Sequence, residues 1–334
     1  MPPAIDPAEL ADETRLARLI SEVEAGAGAA REVLASLPPS TQTAYRVGIT
    51  GSPGIGKSTL LRHLIAHYRQ QAQRVGVIAV DPTSPFSGGA VLADRLRLTD
   101  KKPDPGVFIR SLGSRGSLGG ISPAASAVAT VLVAAGFDLI LIETVGVGQT
   151  GYDIVNLADT VVAMFSPEAG DGVQLLKAGI LEVGDIFAVN KCDRPGAEQL
   201  LAEIKLNLEL EQVSAVEQQH HGLTAPSADE AQAIAPPWQP PVLPLVATAN
   251  EGIAELAQAI EAHQQYLTAL PATHPLRSRR IVRELTFSLR TEIEHLVHHA
   301  LDQRLAVLAQ QVQAGELALW QAVEELRRDI QQRI

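Results

Sequence analysis

A single cysteine, Cys192, stands among 334 residues. No internal disulfide framework is therefore possible, and the chain suits a reducing compartment. Long apolar runs are missing as well. The longest, "AVATVLVAAGFDLILIE" at 127–143, is broken by Gly136 and Asp138 and falls short of the roughly 20 residues a bilayer span needs. The opening "MPPAIDPAELADETRL" has no basic stretch leading into an apolar one, so no secretory signal is expected and a cytoplasmic protein is. Basic charge is the scarce sign: 27 Lys and Arg against 38 Asp and Glu leave a net charge of -11, which opposes a general nucleic-acid binder. No internal repeat is found. What remains, 46% hydrophobic and 19% charged residues, is the composition of a globular protein with a large core.

Along the chain, residues 7–36 carry Leu16, Leu19, Ile20 and Val23 at helical spacing and close near Pro38 and Pro39. From Arg46 the rhythm changes. Short Val/Ile/Leu runs at 46–50, 74–81, 106–112, 137–143, 160–165, 186–191 and 241–248 alternate with helical stretches. This predicts an α/β fold, a mostly parallel sheet flanked by helices, with ligands at the carboxyl ends of the strands. Residues 222–241 read as a surface loop. Beyond Pro271 the chain turns helical, with Val282, Leu285, Leu289, Ile293, Leu296 and Ala300 at three- and four-residue steps, and a second helix follows Gly315. That stripe either packs back on the chain or meets a second copy. The expected divisions are a helical segment 1–45, a nucleotide domain 46–265 and a helical arm 266–334.

The stretch "GITGSPGIGKST" holds Gly51-x-x-x-x-Gly56-Lys57-Ser58, directly after run 46–50 and before the apolar helix Leu60–Tyr68. This is a P-loop in its expected strand-to-helix context. Backbone N–H groups of Gly51, Pro53's neighbours, Gly54, Ile55 and Gly56 turn toward phosphate, and the helix N-terminus adds a favourable dipole. Pro53 and Thr59 belong to the same phosphate-binding set. Lys57 is expected on the β- and γ-phosphates and the Ser58 hydroxyl on Mg²⁺.

"AVNKCD" then places Asn190, Lys191 and Asp193 at the end of an apolar run. An aspartate there accepts from guanine N1–H and the 2-amino group, donors that adenine does not present in that arrangement, so GTP is selected over ATP. Thr248, Ala249 and Asn250 in "ATANEGI" form a further loop at the guanine. Cys192 reads as a small buried filler. Asp81, Asp94 and Glu143 are the candidate carboxylates beside Mg²⁺, which takes oxygen ligands and keeps several waters. Asp81 can instead cap the turn before Pro82, and Asp94 can pair with Arg95 or Arg97. In "ETVGVGQTG", Gly146 is the expected γ-phosphate sensor. Val147 holds the place where many GTPases carry a water-orienting glutamine, and Gln149 comes two residues later, so slow intrinsic hydrolysis is expected. Arg110 and Arg115 either supply charge to the transition state or form structural ion pairs.

Taken in order, "VGITGSPGIGKST", "VIAVDPTSPFSGGAVLADRLRL", "VFIRSLGSRGSLGGIS", "DLILIETVGVGQT", "SPEAGDGVQLLKAGI" and "AVNKCD" resemble the metallocofactor-maturation class of P-loop GTPases. Within it the chain resembles the MeaB/ArgK/methylmalonic aciduria type A protein group, from about residue 10 to at least 300. The resemblance implies a homodimeric GTPase with GTP/GDP and Mg²⁺ as cofactors. It would act as chaperone of an adenosylcobalamin-dependent acyl-CoA mutase, chiefly methylmalonyl-CoA mutase, binding no cobalamin itself. A delivering adenosyltransferase is a further implied partner; nucleic acid and membrane are not. The resemblance also makes 266–334 a dimerisation arm, the segments after Pro82 and Glu143 switch loops, and 166–177, with Gln174 and Lys177, a third switch; Gln149 joins them in coupling to the partner. The chain departs from the group at Gln149-Thr150-Gly151, commonly Gln-Ser-Glu, and at Gly170-Asp171-Gly172, commonly Gly-Asp-Glu. Both departures replace a switch glutamate with glycine. Alternative readings are a nickel-insertion GTPase of hydrogenase or urease maturation, a transport-system kinase, and a GTP-binding scaffold with little hydrolysis. One cysteine opposes the first, and the N-K-x-D motif opposes the kinase.

Overall fold

The structure is a computed structural model that describes residues 5–25, 27–38, 44–81, 104–113, 124–144, 151–168, 180–221, 237–271 and 273–331. Seven strands, β1 (Tyr45–Gly51), β2 (Val75–Asp81), β3 (Val107–Gly113), β4 (Leu139–Glu143), β5 (Thr160–Phe165), β6 (Ile186–Val189) and β7 (Val242–Pro244), form one sheet in the order β3-β2-β4-β1-β5-β6-β7. Every pairing is parallel. The strands are apolar on both faces: all of β4 and all of β5 is buried. Such strands are stable only between two layers of helix.

Before the sheet lie α1 (Pro7–Ala11), α2 (Glu13–Ala25) and α3 (Ala27–Ser36). The sequence rhythm over 7–36 is thus broken into three pieces. Asp12 makes one break, its Oδ1 accepting the Arg15 N–H at 2.7 Å as an N-terminal cap. Among the described residues four helices then cover the sheet: α4 (Lys57–Gln70), α5 (Ala125–Ala134), α6 (Ala197–His221) and α7 (Ile253–Ala269). Leu60, Leu61 and Leu64 of α4 and Leu256 and Ile260 of α7 share a core with Val47, Ile49, Leu141 and Val162. Phe165, Phe187 and Val189 pack with Leu200 and Ile204 of α6. β7 ends sooner than the run 241–248 suggests, because Val246 turns back to bridge Glu251 and Ala247–Ala249 forms a 3-10 turn.

At the amino ends of β1, β5 and β6 lies a buried polar group. The Tyr45 hydroxyl meets Thr160 Oγ1, which lies 2.7 Å from His263 Nδ1. The Trp238 ring lies tilted against His263, centroids 4.7 Å apart, and donates Nε1–H to the Asp185 carbonyl at 2.8 Å. His263 Nε2 is 3.7 Å from Asp185 Oδ1. Close by in the chain, Arg46 pairs with Glu284 at 2.6 Å, both side chains largely buried, and Ser126 donates to the same carboxylate.

Two compact units result, Met1–Glu284 and Leu285–Ile334. The second comprises the remainder of α8 (Pro275–Gln313) and α9 (Leu319–Gln331). Within it Arg304 grips Glu325 at 2.6 Å and Asp329 at 3.2 Å, while Leu308 and Ala322 are buried. Gly315, at φ 76, turns the chain between the helices.

Candidate nucleotide site

The chain passes from β1 to β2 and β3 on one side and reaches β5, β6 and β7 on the other. A crevice therefore opens at the carboxyl end of β1, where the order reverses. The P-loop lies there, between β1 and α4. Two of its glycines are required by geometry. Gly51 has φ 147, and a Cβ on it would lie 2.7 Å from the Met164 carbonyl; Gly56 has φ 103, and a Cβ would strike the Asn190 amide. Ile55 buries its side chain in the core, which pins the loop from beneath, while Pro53 and Gly54 are exposed. Lys57 is buried, its Nζ donating to the carbonyls of Gly51 at 2.9 Å and Ser52 at 3.1 Å. The ammonium thus sits inside the loop that a phosphate would enter.

Glu143 ends β4, in register with Ile49 of β1 and Ala79 of β2. It is 5% exposed, and Ser58 Oγ, at the start of α4, donates to its Oε1 at 3.1 Å. A hydroxyl and a carboxylate so placed give an all-oxygen donor pair that fits Mg²⁺. Thr144 staples the two strand ends, its N–H reaching the Ile49 carbonyl at 3.2 Å and its Oγ1 meeting Thr50 Oγ1 at 3.2 Å. Asp81 ends β2 opposite Gly113; of it only the backbone is described. Asp94, Arg115, Gly146, Val147, Gln149, Gln174 and Lys177 lie outside the described residues, as do Gly170, Asp171 and Gly172.

The second half of the site is built on Asn190, which is 3% exposed. Its Nδ2 donates to the Ile55 carbonyl at 2.7 Å, and its Oδ1 accepts the Ala247 N–H at 2.9 Å. One side chain therefore ties the P-loop, the end of β6 and the turn carrying Thr248, Ala249 and Asn250. Lys191 and Asn250 both adopt left-handed backbone, at φ 61 and φ 60. The Asp193 side chain is 52% exposed beside Arg194. Cys192 donates Sγ–H to the Val189 carbonyl at 3.1 Å, and burial raises its thiol pKa, so it packs as a thiol. Two features escaped the sequence: the Thr50–Thr144 staple and Glu168, which binds Lys191 at 2.8 Å. An acid shortly past the end of the apolar run 160–165 is a faint signal for Glu168; the staple leaves none.

Arg110, on β3, is engaged by α2: it pairs with Glu24 and donates to Ser21 Oγ at 3.1 Å. Among the described residues no three or more His, Cys, Asp or Glu gather as for an enclosed metal ion. Among the same residues no helix is long and apolar enough to cross a membrane.

A parallel sheet with a P-loop after its first strand, a buried carboxylate at the end of the neighbouring strand and N-K-x-D two strands away defines a P-loop GTPase. The family model of the methylmalonyl Co-A mutase-associated GTPase MeaB matches residues 16–303, and the chain belongs to that family. A protein of Pyrococcus abyssi named as a GTPase is 46% identical over 274 residues, 82% of this chain and 79% of that one. The methylmalonic aciduria type A homolog of Mus musculus, a mitochondrial protein, is 28% identical over 294 residues, 86% of this chain and 66% of its own. A solved structure described as a LAO/AO transport system kinase shares the fold, with TM-score 0.60 and 24% identity over 97% of this chain and 95% of that one.

Proposed function

We propose that this GTPase is a chaperone of an adenosylcobalamin-dependent acyl-CoA mutase, methylmalonyl-CoA mutase or a close relative, gating cofactor loading and protecting the mutase. The observation that carries this reading is the family match across 16–303, since the family is named for its association with that mutase. The name of the mouse relative supports it. In this reading 46–265 is the GTPase domain, 1–45 a helical cover and 266–334 an arm through which two copies dimerise. The exposed apolar residues Val282, Leu285, Leu289 and Ile293 supply the arm with a contact face. Cobalamin stays on the mutase, and an adenosyltransferase that delivers it is a further partner.

The chemistry follows from the chain's own groups. The P-loop amides and Lys57 hold the β- and γ-phosphates and neutralise charge as the terminal phosphoryl group departs to water. Lys57 exchanges the Gly51 and Ser52 carbonyls, weak acceptors, for phosphate oxygens. Ser58, Glu143, Asp81 and Asp94 are the residues that would hold Mg²⁺, which would supply positive charge to screen the phosphates. Asp193 accepts from the guanine edge, and Gly146 reports the γ-phosphate to the loop around Gln149. With Val147 where a water-orienting glutamine usually stands, hydrolysis by the chain alone is slow.

Phosphate release from GTP, measured with and without a purified cobalamin-dependent methylmalonyl-CoA mutase, tests the reading. Faster release and co-elution of the two proteins are expected. An unchanged rate with separate elution rejects the mutase as partner and leaves the GTPase assignment standing.

A further inference from the structure

Glu168 lies three residues past the end of β5, beyond Ser166 and Pro167. Ser166 is buried, and its Oγ accepts the Glu168 N–H at 3.3 Å, which fixes the backbone there. β5 and β6 are neighbours, with Phe165 opposite Val189. Glu168 is therefore delivered to the turn that follows β6, where Lys191 and Asp193 stand. One oxygen, Oε2, accepts from Lys191 Nζ at 2.8 Å; the other, Oε1, lies 3.5 Å from Arg194 Nε. The same Arg194 Nε is 3.6 Å from Asp193 Oδ2. The guanidinium is thus shared, at nearly equal distance, between Glu168 and the aspartate assigned to the base. Lys191 and Arg194 hold the Glu168 carboxyl below its ordinary range, so it is an anion at neutral pH.

A guanidinium fully engaged on a carboxylate occupies both its oxygens in a forked pair. Asp193 needs those oxygens for guanine N1–H and the 2-amino group. We propose that Glu168 is a positioning residue for guanine recognition: it anchors Lys191 and shares Arg194 with Asp193, so that the guanidinium does not close a forked pair on the Asp193 carboxylate and leaves its oxygens to the base. This rests on the guanine reading of Asn190, Lys191 and Asp193.

Glu168→Gln keeps the shape and removes the charge. Arg194 then settles on Asp193 and competes with the base. The KM for GTP is expected to rise roughly three- to tenfold, the range of a partly exposed charge-assisted contact, with kcat unchanged. Preference for GTP over inosine triphosphate, which lacks the 2-amino group, narrows. Adding Arg194→Gln to Glu168→Gln restores most of the KM and the preference, a rescue that a merely structural defect would not show. An unchanged KM and preference in a folded Glu168→Gln protein, or no rescue by the second substitution, overturns the proposal. Should Glu168→Gln fail to fold, Arg194→Gln alone decides: a KM for GTP no higher than wild type supports competition, and a raised one overturns it. Asp193→Asn separates the two levels. Xanthine carries a carbonyl where guanine has its amino group, so this variant trades GTP for xanthosine triphosphate if Asp193 reads the base. Without that trade the guanine reading itself falls; with it, a silent Glu168→Gln sinks only the role of Glu168.

Discussion

Asn190 shows how much a single side chain does in this site. It is buried and bonded at both ends, to the Ile55 carbonyl and the Ala247 N–H. The N-K-x-D pattern marks Asn190 as part of guanine recognition, yet what it touches is other loops. That role is invisible along the chain, because its partners lie 135 and 57 residues away. Asn190→Ala strands a buried carbonyl and a buried N–H, and is expected to destabilise the fold by about 1–3 kcal/mol. Urea unfolding of the nucleotide-free protein measures this; a loss below about 0.5 kcal/mol would show that the loops hold without it. Gly56 tells the same story in reverse. The motif demands a glycine there for phosphate, and the structure adds that the Asn190 amide fills the space beside it.

At the scale of elements, the sheet's two ends behave differently. Its carboxyl end carries the nucleotide motifs, which sequence periodicity and motif spacing place correctly after β1, β4 and β6. Its amino end holds the Tyr45–Thr160–His263–Asp185 group, for which no local pattern exists, since its members come from β1, β5, the turn before β6 and α7. Burial raises Asp185 from 3.8 to about 6 and lowers His263 from 6.5 to about 4. The imidazole is therefore neutral at pH 7, and its 3.7 Å approach to Asp185 is no ion pair there. The raised Asp185 contributes stability that is full below about pH 4 and lost as pH climbs through 6. The depressed His263 contributes stability that is full above about pH 6.5 and lost as pH falls through 4. The two slopes oppose each other across one window. Asp185→Asn removes the first and leaves the second, so the urea midpoint should fall more steeply between pH 6.5 and 4 than in wild type. Parallel pH curves for the two proteins would contradict this assignment.

For the whole molecule, the feature with most consequence is the row of exposed apolar residues on α8. Val282, Leu285 and Leu289 are 58%, 65% and 60% exposed. Periodicity finds the stripe but leaves what covers it open, and among the described residues each of these side chains is more than half exposed. In the proposed homodimer a second copy covers them. Leu285→Asp with Leu289→Asp places two charges on that face, and sedimentation equilibrium should then report half the wild-type mass. An unaltered mass would move the interface elsewhere.

The sequence by itself determined the class of protein. P-loop, N-K-x-D and the intervening glutamate are contiguous patterns whose chemistry depends on neighbours along the chain and on a strand-to-helix turn, both readable from residue order. The parallel sheet followed as well, because strands buried on both faces are apolar without interruption. Only the tertiary structure decided what the motif residues touch. It gave Asn190 its loops, engaged Arg110 of the edge strand β3 with α2, and set Glu168 between Lys191 and Arg194. Those pairings join segments 23 to 135 residues apart, and contacts made between such distant segments carry no signature in the spacing of the residues that make them.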